Sequence, residues 1–141
     1  MDDALLRREE ELMSKNNFRK LLGIKVDSLE PGHAKLSMPI TEMLLQPLGM
    51  VHGGVFSVLI DSAIGTAVRS VIDTDRQMAV TAEMNLNYIR GARQGTLHAE
   101  GKVVHQGKLL VVGTGDVRDD EGRLLATGRA TYVILEGKTA K

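Results

Sequence analysis

QPLGMVHGGVFSVLIDSAIGTA, residues 46–67, begins with a proline and glycines and then turns apolar. From Val55 to about Ile72 there is no proline, and apolar residues fall on nearly every side of a helical wheel. A helix apolar all round belongs inside a domain. The pattern predicts one long central helix over about 54–72. One residue is out of character. Asp61 stands between Ile60 and Ser62, with no basic residue within a helical turn. A lone carboxylate in apolar surroundings is costly and either neutralises or finds a partner. Residues three and four apart share a face, so Gly54, Ser57, Asp61 and Gly65 form one small, polar stripe. Phe56, Leu59, Ile60, Ala63 and Ala67 supply the greasy remainder. A groove floored this way can admit a ligand. The same residues also fit a packing account, in which Asp61 bonds to nearby backbone and the small residues permit close approach.

His52-Gly53-Gly54 opens the helix. First-turn amides have no intrahelical acceptor and sit at the positive end of the helix dipole. Glycines leave them uncovered, which suits a carbonyl oxygen that becomes an oxyanion. A tight turn would also use Gly-Gly. Asp61 lies eight residues beyond Gly53, about 12 Å along a helix at ~1.5 Å per residue. A carboxylate cannot reach a carbonyl held at that amide. If both act on one group they come from different chains, so a catalytic role predicts a two-fold dimer with paired helices and composite sites.

Outward from the helix, residues 24–30 and 34–40 read as strands around Pro31-Gly32, a turn signal. Ala34, Leu36, Met38 and Ile40 alternate with Lys35, Ser37 and Pro39, the period of a half-buried strand. Four more strands follow. In 78–88 the even positions, Met78 to Tyr88, are apolar, while Thr81, Glu83, Asn85 and Asn87 stand between them. Residues 96–105 and 109–118 flank Gln106-Gly107-Lys108, a hairpin-sized loop. Asp119 to Gly122 turn the chain into 123–135, where Leu124, Ala126, Ala130, Tyr132 and Ile134 share a face. A short N-terminal helix over about 3–14 reads as a solvated helix packed on a neighbour. One buried helix with an antiparallel run of strands gives an α+β fold, the sheet wrapped around one long central helix. No repeat or linker divides residues 1–141, so one domain is expected.

Basic and acidic residues number 18 each, for a formal net charge of zero. A general nucleic-acid or membrane-surface binder would usually carry a basic excess. There is no cysteine, which removes disulfides, thiol nucleophiles and thiolate metal sites and suits a reducing compartment. The N-terminus lacks the apolar core of a secretory signal, and the apolar stretch 54–68 is too short to span a bilayer. A cytoplasmic location is expected, with neither nucleic acid nor membrane as partner. His33, His98 and His105 look like surface residues, no cluster has metal-ligand spacing, and Gly-x-Ser-x-Gly is absent.

The segment 46–67 resembles the signature of hotdog-fold acyl-CoA thioesterases of the phenylacetate-degradation (PaaI-like) group: Asn or Gln, a glycine, His-Gly-Gly, and an acid eight residues after the first glycine of the pair. Further similarity lies in NNFRKLLGIKV at 16–26 and VTAEMNLNYIRGA at 80–92, so the likeness runs from about residue 16 to 135. The resemblance implies hydrolysis of an acyl- or aryl-CoA thioester, with CoA as part of the substrate and no separate cofactor. It implies Asp61 as nucleophile or general base, and the Gly53 amide of the partner chain as oxyanion donor. His52 would shape the loop and contact the carbonyl region. Gln46, where many relatives have Asn, would orient the acyl group or water, and Gly54 would belong to the substrate-binding loop. Thr81 matches a Ser or Thr near the catalytic water, and Arg90 a basic residue near the CoA phosphates. Thr81 also fits an outward strand position, and Arg90 a solvated strand end. The resemblance implies a homo-oligomer: a dimer, or a dimer of dimers forming a homotetramer.

Two other functions fit the same residues. A hotdog hydratase or dehydratase pairs a histidine with a carboxylate to move protons, a role open to His52 and Asp61. A non-catalytic acyl-CoA-binding module would keep the groove without the chemistry. The acyl group is not legible: Phe18, Phe56, Tyr88 and Tyr132 are the aromatics, and seven methionines suit either an adaptable pocket or plain packing.

Overall fold

The computed structural model describes residues 1–137; the last part of the expected domain span, 138–141, lies outside the described residues. In chain order the elements are α1 (Asp3–Met13), α2 (Asn17–Leu22), β1 (Lys25–Glu30), β2 (His33–Pro39), a short 3-10 turn (Glu42–Leu44), α3 (Gly53–Arg69), β3 (Gln77–Tyr88), β4 (Thr96–Gln106), β5 (Leu110–Arg118) and β6 (Leu124–Glu136). All neighbouring strands are antiparallel. They form one six-stranded sheet in the order β1-β2-β4-β5-β6-β3, which leaves β3 on an edge.

The sheet wraps over α3, whose sequence is rich in β-branched residues and glycine and poor in strong helix formers. Burial decides the matter. Leu59, Ile60, Ile64 and Val68 are fully buried, each at roughly 1.5–3 kcal/mol, which exceeds the helix-propensity deficit of less than about 1 kcal/mol per residue. The fit is close: a Cβ on Gly101 of β4 would lie 2.3 Å from the Ala63 backbone. Only a glycine lets the strand cross the helix there. No helix among the described residues is long and apolar enough to cross a membrane.

Several sequence expectations are revised. The central helix begins at Gly53 and stops at Arg69, short of residue 72. Ser70 ends it: its hydroxyl donates to the Ala67 carbonyl at 2.6 Å and accepts the Gly32 amide at 2.8 Å. Helix α2 was not anticipated. It is too short for a periodic signal, yet Asn16 caps it by accepting the Arg19 N–H, and Gly23 at φ +72° ends it. In β3 the unbroken even-position alternation is misleading. A bulge between Thr81 and Glu83 shifts the register against β6, and an extra residue exchanges the two faces. Thr81 pairs with buried Tyr132 and turns toward α3, whereas Met84 and Leu86 pack on the core beyond the bulge. Met78 and Val80 are left exposed on the outer face. On β6 it is Leu125, beside Leu124, that is fully buried.

The N-terminal helix is not merely solvated. Glu9 of α1 is only 3% exposed. Its Oε1 pairs with Arg19 Nη1 at 3.2 Å and with Arg69 Nη2, and its Oε2 accepts from Arg69 Nε at 3.0 Å. Thr66 donates to Oε1 at 3.2 Å. This cluster ties α1 and α2 to the last turns of α3.

Candidate active site

Two parts of α3 carry the site. At its start, the loop 46–52 is closed by two bonds of its own backbone, Gln46 N–H to Met50 O at 2.7 Å and Gly49 N–H to Gln46 O at 2.9 Å, and tied to the segment after β3 by Val51 N–H to Ala92 O at 2.8 Å. The Gln46 carboxamide oxygen accepts from Leu48 N–H, so that side chain is partly engaged in shaping the turn. His52 caps the helix, its Nδ1 accepting the Gly54 N–H at 2.9 Å. An accepting Nδ1 puts the proton of the neutral ring on Nε2.

The cap separates the two glycines. The Gly54 amide is taken by His52, and the Gly53 amide, one residue earlier, has no acceptor among the described residues. Tyr88 borders that amide: a Cβ on Gly53 would come 3.1 Å from its ring. Tyr88 is 58% exposed and its ring centre lies 6.4 Å from that of Phe56. Arg90 follows two residues later, exposed, its N–H donating to Leu125 O at 3.1 Å. Beside the same helix end an open groove of about 330 Å³ runs between α2 and the 3-10 turn, lined by Phe18, Leu22, Met43, Val55 and Val58, with His52 and Gly54 at its rim.

Two turns along, Asp61 is half-buried. Thr81 donates its hydroxyl to Asp61 Oδ1 at 2.8 Å. Tyr132 of β6 presents its hydroxyl to the same Oδ1 at 2.6 Å and to the Asp61 carbonyl at 2.7 Å. Asp61 Oδ2 accepts from no group among the described residues. Burial first, and then the neighbouring Asp61 carboxylate, hold the Tyr132 phenol well above its ordinary range, so it is a hydrogen-bond donor at any ordinary pH. Gly65, on the stripe noted in the sequence, lies beside both groups: a Cβ there would come 3.3 Å from Arg69 Nη1 and make ordinary contact with Tyr132 Oη at 3.4 Å. Ser57, on the same stripe, turns its hydroxyl back to the Gly54 carbonyl at 2.7 Å.

Asp61 and Thr81 are thus in contact, while Gln46, His52, Gly53 and Gly54 gather at the helix start. Sequence reading missed Tyr132 and Tyr88 as members of these groups. The hint for Tyr132 was its inward-facing register on the strand after a glycine-bearing helix face, but nothing local linked it to Asp61, 71 residues away.

Residues 48–126, more than half of the chain, match the family model of the thioesterase superfamily. The chain belongs to that superfamily. It is a thioester hydrolase of the hotdog fold. It is similar to the 1,4-dihydroxy-2-naphthoyl-CoA hydrolase of Escherichia coli, 30% identical over 123 residues that cover 87% of this chain and 90% of that one. A thioesterase family protein of Silicibacter pomeroyi superposes with a TM-score of 0.87 at 28% identity, over 94% of this chain and 99% of that one. The PaaI protein of the Escherichia coli phenylacetic acid degradation operon has the same fold, with a TM-score of 0.87 at 24% identity and 96% of each chain covered.

Proposed function

We propose that this thioesterase hydrolyses an acyl- or aryl-CoA thioester to a free acid and CoA, with Asp61 as nucleophile or general base. One observation carries the reading: among the described residues, Asp61 has one oxygen held by two hydroxyls and the other left open, on a helix whose first amide is also without an acceptor. The Gly53 amide polarises the thioester carbonyl and then stabilises its oxyanion. Asp61 Oδ2 either takes a proton from water as the new C–O bond forms, or attacks the carbonyl carbon itself. The C–S bond then breaks and CoA leaves as thiolate; on the direct-attack route water then hydrolyses the acyl-Asp61 anhydride, releasing the free acid and restoring the carboxylate. Because Gly53 and Asp61 are about 12 Å apart along one helix, each site takes its amide from one chain and its carboxylate from the partner. CoA enters as part of the substrate, and no other cofactor is required.

The β3 edge supports a dimer. It is a 12-residue strand without proline, and an unpaired edge of that length invites pairing. The exposed Met78, Val80, Leu110 and Leu135 of the outer face suit the further contact of a dimer of dimers. Arg90 lies two residues beyond Tyr88, which borders the Gly53 amide, so the CoA phosphates would pass there, and His52 and Gln46 frame the carbonyl. The apolar groove beside His52 and Gly54 takes the acyl group. The name of the 1,4-dihydroxy-2-naphthoyl-CoA hydrolase relative favours an aryl group among the candidates. A cytoplasmic site of action fits a chain without cysteine.

A thiol-release assay across benzoyl-, hexanoyl- and crotonyl-CoA tests the proposal. The absence of cysteine means that the protein contributes no thiol background. Release of CoA with at least one substrate is the expected result. Water addition to crotonyl-CoA without thiol release would make the protein a hydratase, and tight binding with no turnover of any substrate would make it a binding module.

A further inference from the structure

We infer that Tyr132 is a positioning residue for catalysis, fixing the Asp61 carboxylate so that Oδ2 alone faces the reacting thioester. The inference rests on the proposed role of Asp61. A buried phenol needs only one acceptor, and the Asp61 carbonyl at 2.7 Å would satisfy it. Tyr132 makes a second, shorter approach to Oδ1, at 2.6 Å, the length of a hydroxyl bond to an ionised carboxylate. By spanning the carbonyl and the side chain of one residue, it fixes the Asp61 rotamer against its own helix. Thr81 reaches the same oxygen from β3. Both donors therefore fall on Oδ1, and none falls on Oδ2.

The surroundings keep Tyr132 in place. It is 3% exposed, and its strand partner across the ladder is Thr81, so the two donors sit side by side on adjacent strands. Gly65 lies beside the phenol oxygen and beside Arg69, whose Nε and Nη2 are occupied by Glu9. The phenol stays protonated, so it serves as a fixed donor and takes no part in proton transfer.

Tyr132→Phe keeps the ring and removes the donor. Loss of a hydrogen bond to a charged group is expected to lower kcat by about tenfold or more, with KM nearly unchanged. In the double variant Asp61→Asn/Tyr132→Phe, turnover is expected to fall no further than in Asp61→Asn alone, because Tyr132 acts through that carboxylate. A folded Tyr132→Phe protein with wild-type kcat would overturn the inference, as would an additive loss in the double variant. If Tyr132→Phe does not fold, Thr81→Val removes the other donor to Oδ1; a lower kcat at nearly unchanged KM is expected, and wild-type kcat would count against the inference. Full turnover by Asp61→Asn would instead remove the function reading itself, so the two failures are distinguishable.

Discussion

Two carboxylates meet α3, and their environments differ in kind. Glu9 is sealed in, with two guanidiniums and a threonine hydroxyl occupying both of its oxygens. Among the described residues, Asp61 is half-buried, forms no ion pair, and is held by hydroxyls on one oxygen only. A buried ion pair offsets its desolvation only when every lone pair is engaged, and a carboxylate so engaged has nothing left for a substrate. Neutral donors hold a carboxylate in place while leaving its charge and one oxygen available. The contrast separates an acid that joins elements from an acid that can react. It also shows that burial alone is a poor guide to function, since the more deeply buried acid is the structural one.

The sharpest way to break this contrast is Asp61→Asn. It is expected to fold and dimerise with near wild-type Tm while turnover falls by roughly 10²–10⁴-fold, the usual size of a general-base contribution. Thiol release and thermal melting decide it, and wild-type turnover would put Asp61 in the same structural class as Glu9. The converse variant is Glu9→Ala. It strands Arg19 and Arg69 without a counter-charge, a defect of about 3–5 kcal/mol in other buried pairs. The urea midpoint should drop accordingly, with turnover of the folded protein far less affected than in Asp61→Asn. A neutral Glu9→Ala would mean that the cluster holds nothing together.

A smaller effect sharpens the Asp61 side of the comparison. Tyr132 has a phenol pKa raised above the ordinary 10.0 by burial and by Asp61. A raised pKa means that its contribution to stability is complete below pH 10 and is lost as pH rises from there toward the folded value, because only the unfolded chain releases the proton. Stability should therefore fall above pH 10 by up to about 1.4 kcal/mol per pH unit from this one group. The alkaline slope should be shallower in Tyr132→Phe. Equal slopes in melts of the two proteins would show that the phenol ionises as easily folded as unfolded.

Much of this was legible in the sequence, and the parts that were not share a cause. The central helix was readable because its composition is apolar all round and His52-Gly53-Gly54 marks its start. Strand β2 was readable because its inner face, Ala34, Leu36 and Met38, is buried as its alternation implies. Strand β3 misled because apolar side chains occupy even positions on both sides of the bulge, so the change of face at Ala82 leaves no trace in the pattern. That change is what aims Thr81 at Asp61. Glu9 could not be told from Glu10 and Glu11, since only packing against α2 and α3 decides which of three neighbouring glutamates is buried. Tyr132 was hidden for the same reason: its contact with Asp61 spans 71 residues, and no local rule covers a hydroxyl arriving from the last strand.

The Glu9 cluster also bears on how the chain tolerates trimming. Residues 1–13 look dispensable as a charged leading segment, yet one side chain within them neutralises two arginines that belong to later elements. Cutting the chain ahead of Asn16 would leave Arg19 and Arg69 confronting each other across Thr66, at the end of the helix whose middle carries Asp61. Proteolytic nicking or an engineered deletion at this end would therefore act as a long-range defect, felt at the last turns of α3.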